Sequence, residues 1–261
     1  MENRFMGTIF AMGAVIAFSV VMLAQTAPTQ PGTAGVQAVP RTPDGKPDLS
    51  GVWLAESPTE RAARGASSRE GEGGRGDRPF QPWAQKLFEY HSDPFVPNRP
   101  RNELNPRSTD CFPPDLEYLI TNDNDHVEII QSPQRVLIVY EYDFWVRQVW
   151  MDEEHPEDLE LKWMGHSIGK WDGDTLVVDT VSIDPLNSYG GFIHTDALHM
   201  VERVRRVDHN MLEIVVTVDD PKAYTKPWTF GPIIYILRPD SRIEERVWCN
   251  DRYEKGIWYG E

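Results

Sequence analysis

Residues 163–180 read Trp163-Met164-Gly165-His166-Ser167-Ile168-Gly169-Lys170-Trp171-Asp172-Gly173-Asp174-Thr175-Leu176-Val177-Val178-Asp179-Thr180, two extended runs around an Asp-Gly dipeptide. Asp-Gly tolerates the positive φ angles of a tight turn, so the stretch predicts a β-hairpin. With Asp172 and Gly173 as the two loop residues, Trp171 faces Asp174, Lys170 faces Thr175 and His166 faces Asp179. Opposed residues hold their Cβ atoms roughly 4.5–5.5 Å apart, close enough for an imidazole to meet a carboxylate. A three-residue loop with Gly173 in a bulge sets His166 opposite Val178 instead and removes the pair. The residues alone leave both registers open.

The hairpin is one unit of a series. β-rich runs at 127–131, 135–140, 144–151, 166–171, 175–183, 198–207, 212–219, 229–237 and 242–249 alternate with turn signals such as Ser132-Pro133, Tyr142-Asp143 and Pro239-Asp240. Upstream, Thr42-Pro43-Asp44-Gly45 forms a turn into a first strand that plants Trp53 in the core. Nine or ten strands with no helices between them predict an all-β fold, an antiparallel up-and-down barrel of lipocalin-like (calycin) type. Closure removes exposed edges, and a barrel of this size holds one small ligand. The alternative is a two-sheet β-sandwich. One short helix is expected in 80–91, where Trp83, Leu87 and Phe88 recur at helical spacing. Prolines from 93 to 114 forbid a regular element there.

Two strands test whether the interior is purely apolar. In 212–219 the residues Leu212, Ile214, Val216 and Val218 point inward. The preceding strand then sends inward either Met200, Glu202, Val204 and Arg206 or Val201, Arg203, Arg205 and Val207. Both choices put charge on the inner wall, where it must be paired, solvated in a cavity or at the rim. The expectation is a hollow, partly polar barrel; a structural Glu–Arg pair at a barrel end is the plainer reading.

The ends and the composition bound the function. Arg4, an apolar run over 5–23 and Ala24-Gln25-Thr26-Ala27 describe a secretory signal peptide, so the folded part is expected in the periplasm or secreted. An uncleaved anchor is the rival, and only then does the chain meet a membrane. The expected division is a signal peptide over 1–24, a disordered linker over 25–40 and one barrel domain over 41–261, with 61–78 a mobile Arg/Gly/Glu-rich loop. A net charge of −15 repels nucleic acid and anionic headgroups, excluding both as partners. The two cysteines, Cys111 and Cys249, suit one disulfide in an oxidising compartment.

Three segments together carry a resemblance: Thr42-Pro43-Asp44-Gly45-Lys46-Pro47-Asp48-Leu49-Ser50-Gly51-Val52-Trp53, the 163–180 hairpin, and His194-Thr195-Asp196-Ala197-Leu198-His199-Met200-Val201-Glu202-Arg203 with its sequel Val218-Asp219-Asp220-Pro221. The chain resembles a large family of exported bacterial proteins that carry these blocks in this order. The resemblance implies export and a β-rich body, and brings no catalytic assignment.

Chemistry-bearing residues are few. No Gly-rich phosphate loop precedes a helix and no Gly-x-Ser-x-Gly elbow is present. Ser167 lies inside a strand, without the sharp exposure a nucleophile needs. His194 and His199 flank Asp196, but five residues of strand put two side chains on opposite faces, so no metal or cofactor is expected. Metal-free acid–base chemistry asks for less. His166 is the expected proton acceptor or donor, held by Asp179, with His194, His199 or Glu202 supplying the complementary group. Elimination, hydration, isomerisation or cyclisation of a small, partly apolar molecule needs only such a pair. Tyr140, Trp145, Trp163, Trp171 and Arg203 are the expected substrate contacts, and a periplasmic carrier without catalysis is the rival. His155 is read as a loop residue, and His91, His126 and His209 as surface residues.

Overall fold

The computed structural model describes residues 38–65, 78–93, 95–97, 112–188 and 192–246. Nine strands close into one barrel in chain order: β1 (Gly51–Ala55), β2 (Val127–Gln131), β3 (Arg135–Tyr140), β4 (Val146–Met151), β5 (His166–Asp172), β6 (Thr175–Val181), β7 (His199–Asp208), β8 (Met211–Asp219) and β9 (Trp228–Leu237). Closure comes from β1, which pairs with β2 on one side and β9 on the other, so the sandwich alternative falls. Each strand alternates faces. Leu176, Val178 and Thr180 of β6 are buried while Val177 and Asp179 between them stay half-buried, the pattern of a wall with a packed inner side.

One junction departs from the antiparallel expectation. β4 and β5 run parallel over only three residue pairs, Val149 with Ser167, Trp150 with Ile168 and Met151 with Gly169. Parallel neighbours cannot be joined by a hairpin, so residues 152–165 cross back to the other end of the sheet. Gly169 permits the close approach. A Cβ there would lie 2.7 Å from Met151 Sδ and 2.8 Å from Val149 Cγ1.

The described residues also hold three helices where one was expected: α1 (Pro58–Ala63), α2 (Pro82–Ser92) and α3 (Leu116–Thr121). Ser57 opens α1 with a capping box closed by Glu60, and Asp115 caps Tyr118 N of α3 at 2.7 Å. These caps are local signals inside segments otherwise read as irregular. Part of the stretch expected to be a mobile loop is thus ordered: Arg61 to Ala63 belong to α1, and Arg78 is buried in an ion pair with Glu117 of α3. Residues 242–246 form no named strand, and Arg246 makes only an isolated bridge to Tyr142. The N-terminal segment and both cysteines, Cys111 and Cys249, lie outside the described residues.

Inside, β7 sends Met200, Glu202, Val204 and Arg206 inward, so charge does stand on the inner wall. Its partner is Arg147 of β4, and the two meet in a fully buried ion pair. Arg147 Nε donates to Ser167 Oγ at 2.9 Å and Nη2 to Thr180 Oγ1 at 2.6 Å, while the two hydroxyls lie 2.9 Å apart. One guanidinium thus ties β4, β5, β6 and β7 together across the short parallel junction.

The lumen is not hollow. Its cavity is about 30 Å³, bounded by Tyr140, Ile138, Leu176, Glu202 and Tyr235 among others, room for about one water molecule. Trp53, Leu212, Val216 and Met200 are completely buried and fill the space a ligand would need.

Removing one partner of a buried pair strands the other charge, which costs about 3–5 kcal/mol. Glu202→Ala is therefore expected to lower unfolding free energy in urea by that amount, and the double replacement Arg147→Met with Glu202→Leu by clearly less. Equal losses in the two variants would show that the pair, rather than the stranded charge, governs closure.

Candidate functional site

The 163–180 hairpin forms, but in neither expected register. Asp172 pairs with Thr175, so Gly173 and Asp174 are the loop residues. Gly173 alone of this turn has positive φ, +60°, as a type II′ turn requires at its first central position. Both flanking acids are held by guanidinium groups: Asp174 takes Arg41 through bonds of 2.9 and 2.6 Å, and Asp172 takes Arg203 at 2.7 Å. Moving the loop by one residue moves the pairing by two. His166 faces Val181, and Asp179 faces Ile168. A two-residue shift preserves the faces, so His166 and Asp179 share the outer wall as diagonal neighbours rather than opposed ones.

His155 closes that gap. It rides on the 152–165 crossover, and its Nδ1 lies 2.8 Å from His166 Nδ1 while its Nε2 lies 3.2 Å from Asp179 Oδ1. From the other side, His199 Nε2 reaches the same carboxylate oxygen at 2.9 Å. Asp179 pairs with Val201 of β7, which makes His199 its diagonal neighbour on that strand as His166 is on β5. The result is a line of groups, His166–His155–Asp179–His199. Side-chain exposures of 21% for His155, 36% for Asp179 and 42% for His199 leave it open to a small molecule. The half-buried Ile168, Val181 and Val201 flank it on the same face.

Hydrogen bonding orders the protons along this line. Asp179 as a carboxylate only accepts, so His155 donates Nε2–H to it. A neutral His155 then has a lone pair at Nδ1, and His166 donates its Nδ1–H there. That leaves His166 Nε2 as the basic atom. Burial lowers the His166 pKa below its ordinary value, and His155 and Lys162 push the same way against an opposing pull from Glu153. The ring is therefore neutral near pH 7 and able to accept a proton. His155, itself hydrogen-bonded to Asp179, holds the ring in that tautomer.

Gly165 sets the start of β5. Its φ is +63°, and a Cβ there would lie 2.5 Å from Val181 O. Only glycine fits, and this close approach brings His166 against the end of β6.

The remaining expected site residues are dispersed. Glu202 stands on the inner wall with Arg147, separated from the imidazoles by the barrel wall. His194 lies in the loop before β7, 3% exposed, with Nδ1 3.3 Å from Thr195 O. Burial lowers its pKa to about 4, against raising contributions from Thr195, Asp220 and Asp184. Tyr140 lines the lumen, where burial pushes its phenol up to about 12. Trp145 packs half-buried against the core, Trp163 lies 5.5 Å from Phe112, and Trp171 sits beneath Lys46. Arg203 is engaged by Asp172. These five do not form one wall.

His155 is the residue that sequence reasoning missed. Its signal was the length of the 152–165 connection, too long for the hairpin that an all-antiparallel order assumes. No group of three or more His, Cys, Asp or Glu among the described residues is arranged to hold a metal ion, and none of the described helices is long and apolar enough to cross a membrane. Comparison with family models, with curated proteins and with solved structures returns no match.

Two outcomes follow from this geometry. Gly165→Ala is expected to cost about 1–3 kcal/mol by thermal or urea unfolding, since it adds a clash to a left-handed residue. His194 is neutral when folded and titrates near 6.5 when unfolded, so the stability it confers is complete above pH 6.5. That stability drains as pH falls to about 4, a loss on the order of 3 kcal/mol. Unfolding midpoints measured across this range fall for the native chain and fall less for His194→Gln. Equal slopes in the two proteins would refute the assignment.

Proposed function

We propose that this chain is an exported enzyme performing cofactor-independent acid–base chemistry, of lyase, hydratase, isomerase or cyclase type, on a small, partly apolar molecule. The reacting centre is the open imidazole line on the outer wall rather than the lumen. The single observation that carries the reading is Asp179 Oδ1 held between His155 and His199, with His166 next in line and its Nε2 basic. His166 Nε2 takes the proton, and His155, tied to Asp179, holds the tautomer. His199, across the carboxylate, returns a proton to the product. Ile168, Val181 and Val201 offer an apolar footing beside the reacting atoms. Export rests on the apolar run at 5–23, and a Cys111–Cys249 disulfide belongs to the same reading. A carrier that encloses its ligand in the barrel fits less well, because the lumen cavity is only about 30 Å³.

The test is a panel of small substrates for elimination, hydration and isomerisation, assayed with the native chain, His166→Ala and Asp179→Asn. Each substitution is expected to lower kcat about 10²- to 10⁴-fold while the circular dichroism stays native. Full turnover in both variants would sink the proposal. A proton NMR titration adds a readout independent of substrate: the His166 midpoint lies below 6.5, as burial of the ring requires.

A further inference from the structure

The segment after β9 borders a cleft of about 620 Å³ whose walls include His126, Glu141, Asp240, Arg242, Glu244 and Arg246. This volume lies within the range of about 300–1,000 Å³ usual for small-molecule sites. The wall has a built floor. Glu141 is 3% exposed and accepts from His126 N at 2.8 Å, from His126 Nδ1 at 2.9 Å and from Glu244 N at 3.1 Å. Burial alone would raise its pKa, but these bonds outweigh burial and hold the carboxyl below its ordinary range. With Nδ1–H donated to Glu141, a neutral His126 has Nε2 left as an acceptor. Arg246 is anchored to Asp125 at 2.7 Å, which fastens the segment to the corner between α3 and β2.

The outer wall is different. Asp240 lies in the turn closed by Ser241 N donating to Arg238 O at 3.0 Å, and the segment that follows brings Arg242, Glu244 and Arg246 to the cleft. This lining carries charges of alternating sign: Asp240, Arg242, Glu244, Arg246. Among the described residues, the side chains of Asp240, Arg242 and Glu244 make no hydrogen bond or ion pair. A polar cleft of ligand size with a guanidinium and two carboxylates unengaged matches a molecule that carries both charges.

We propose that this cleft binds a small zwitterion, a compact molecule bearing an ammonium and a carboxylate, such as a free amino acid. Arg242 takes the carboxylate through a two-point contact, and Asp240 and Glu244 take the ammonium. The site is separate from the imidazole line and does not depend on the reading given to it.

The experiment titrates the full chain with L-alanine, and in parallel with acetate and methylamine, by calorimetry and by backbone NMR. Alanine is expected to bind at about 1 mM or tighter, with shifts confined to residues 124–126, 141 and 240–246. Acetate and methylamine, each presenting one charge, bind at least about tenfold more weakly, as does alanine to Arg242→Gln or Glu244→Gln. Both substituted residues are exposed, so unchanged melting checks that the fold is intact. Absence of alanine binding at several times that concentration, equal binding of acetate alone, or unchanged affinity in Arg242→Gln overturns the proposal.

Discussion

The buried Arg147–Glu202 pair is the constraint on which the barrel turns. A charge inside an apolar wall is tolerated only when its partner is present. Here the partners come from strands far apart in sequence, and the hydroxyls of Ser167 and Thr180 take two of the guanidinium bonds, while Arg147 Nη1 has no hydrogen-bond partner among the described residues. The parallel β4–β5 junction has only three paired residues, too few to define closure by ladder bonds alone. Arg147 reaches across that junction from inside. One cation therefore links four strands.

The same alternation that buries Thr180 turns Asp179 outward. Neighbouring residues of β6 thus serve two different tasks, one in the clamp and one among the imidazoles. The crossover demanded by a parallel pair is what carries His155 to Asp179. Without that topological departure the outer wall would hold a carboxylate and two diagonal histidines, with His166 unconnected.

Much of the barrel was legible because strand alternation and turn residues are local. The strands 127–131 and 135–140 stand where the pattern put them, Trp53 is fully buried, and the inward set of β7 is the one with Glu202 and Arg206, one of the two the charge argument left open. The parallel junction was not legible, since nothing in a strand's own pattern reveals its partner's direction. Turn chemistry was half legible. Asp172-Gly173 marked the hairpin correctly, but whether glycine fills the first or the second loop position was not legible, since both two-residue registers bury the same faces. The site followed the same division: His166, Asp179 and His199 were on the page, whereas their link depended on a connection whose path only the fold defines. Glu202, one of the charges that could face inward, does so, but the barrel wall separates it from the histidines with which it was grouped.

The three-residue seam has a mechanical meaning. Local opening of a sheet begins where few ladder bonds resist it, and in this barrel the three-pair junctions are the two sides of β1 and the β4–β5 seam, which borders the strand that carries His166. Amide protons along these three-pair junctions trade with solvent deuterium ahead of the long β7–β8 ladder. Opening the β4–β5 seam would loosen the strand next to His166, so a ligand resting on that wall would act as a latch on the barrel.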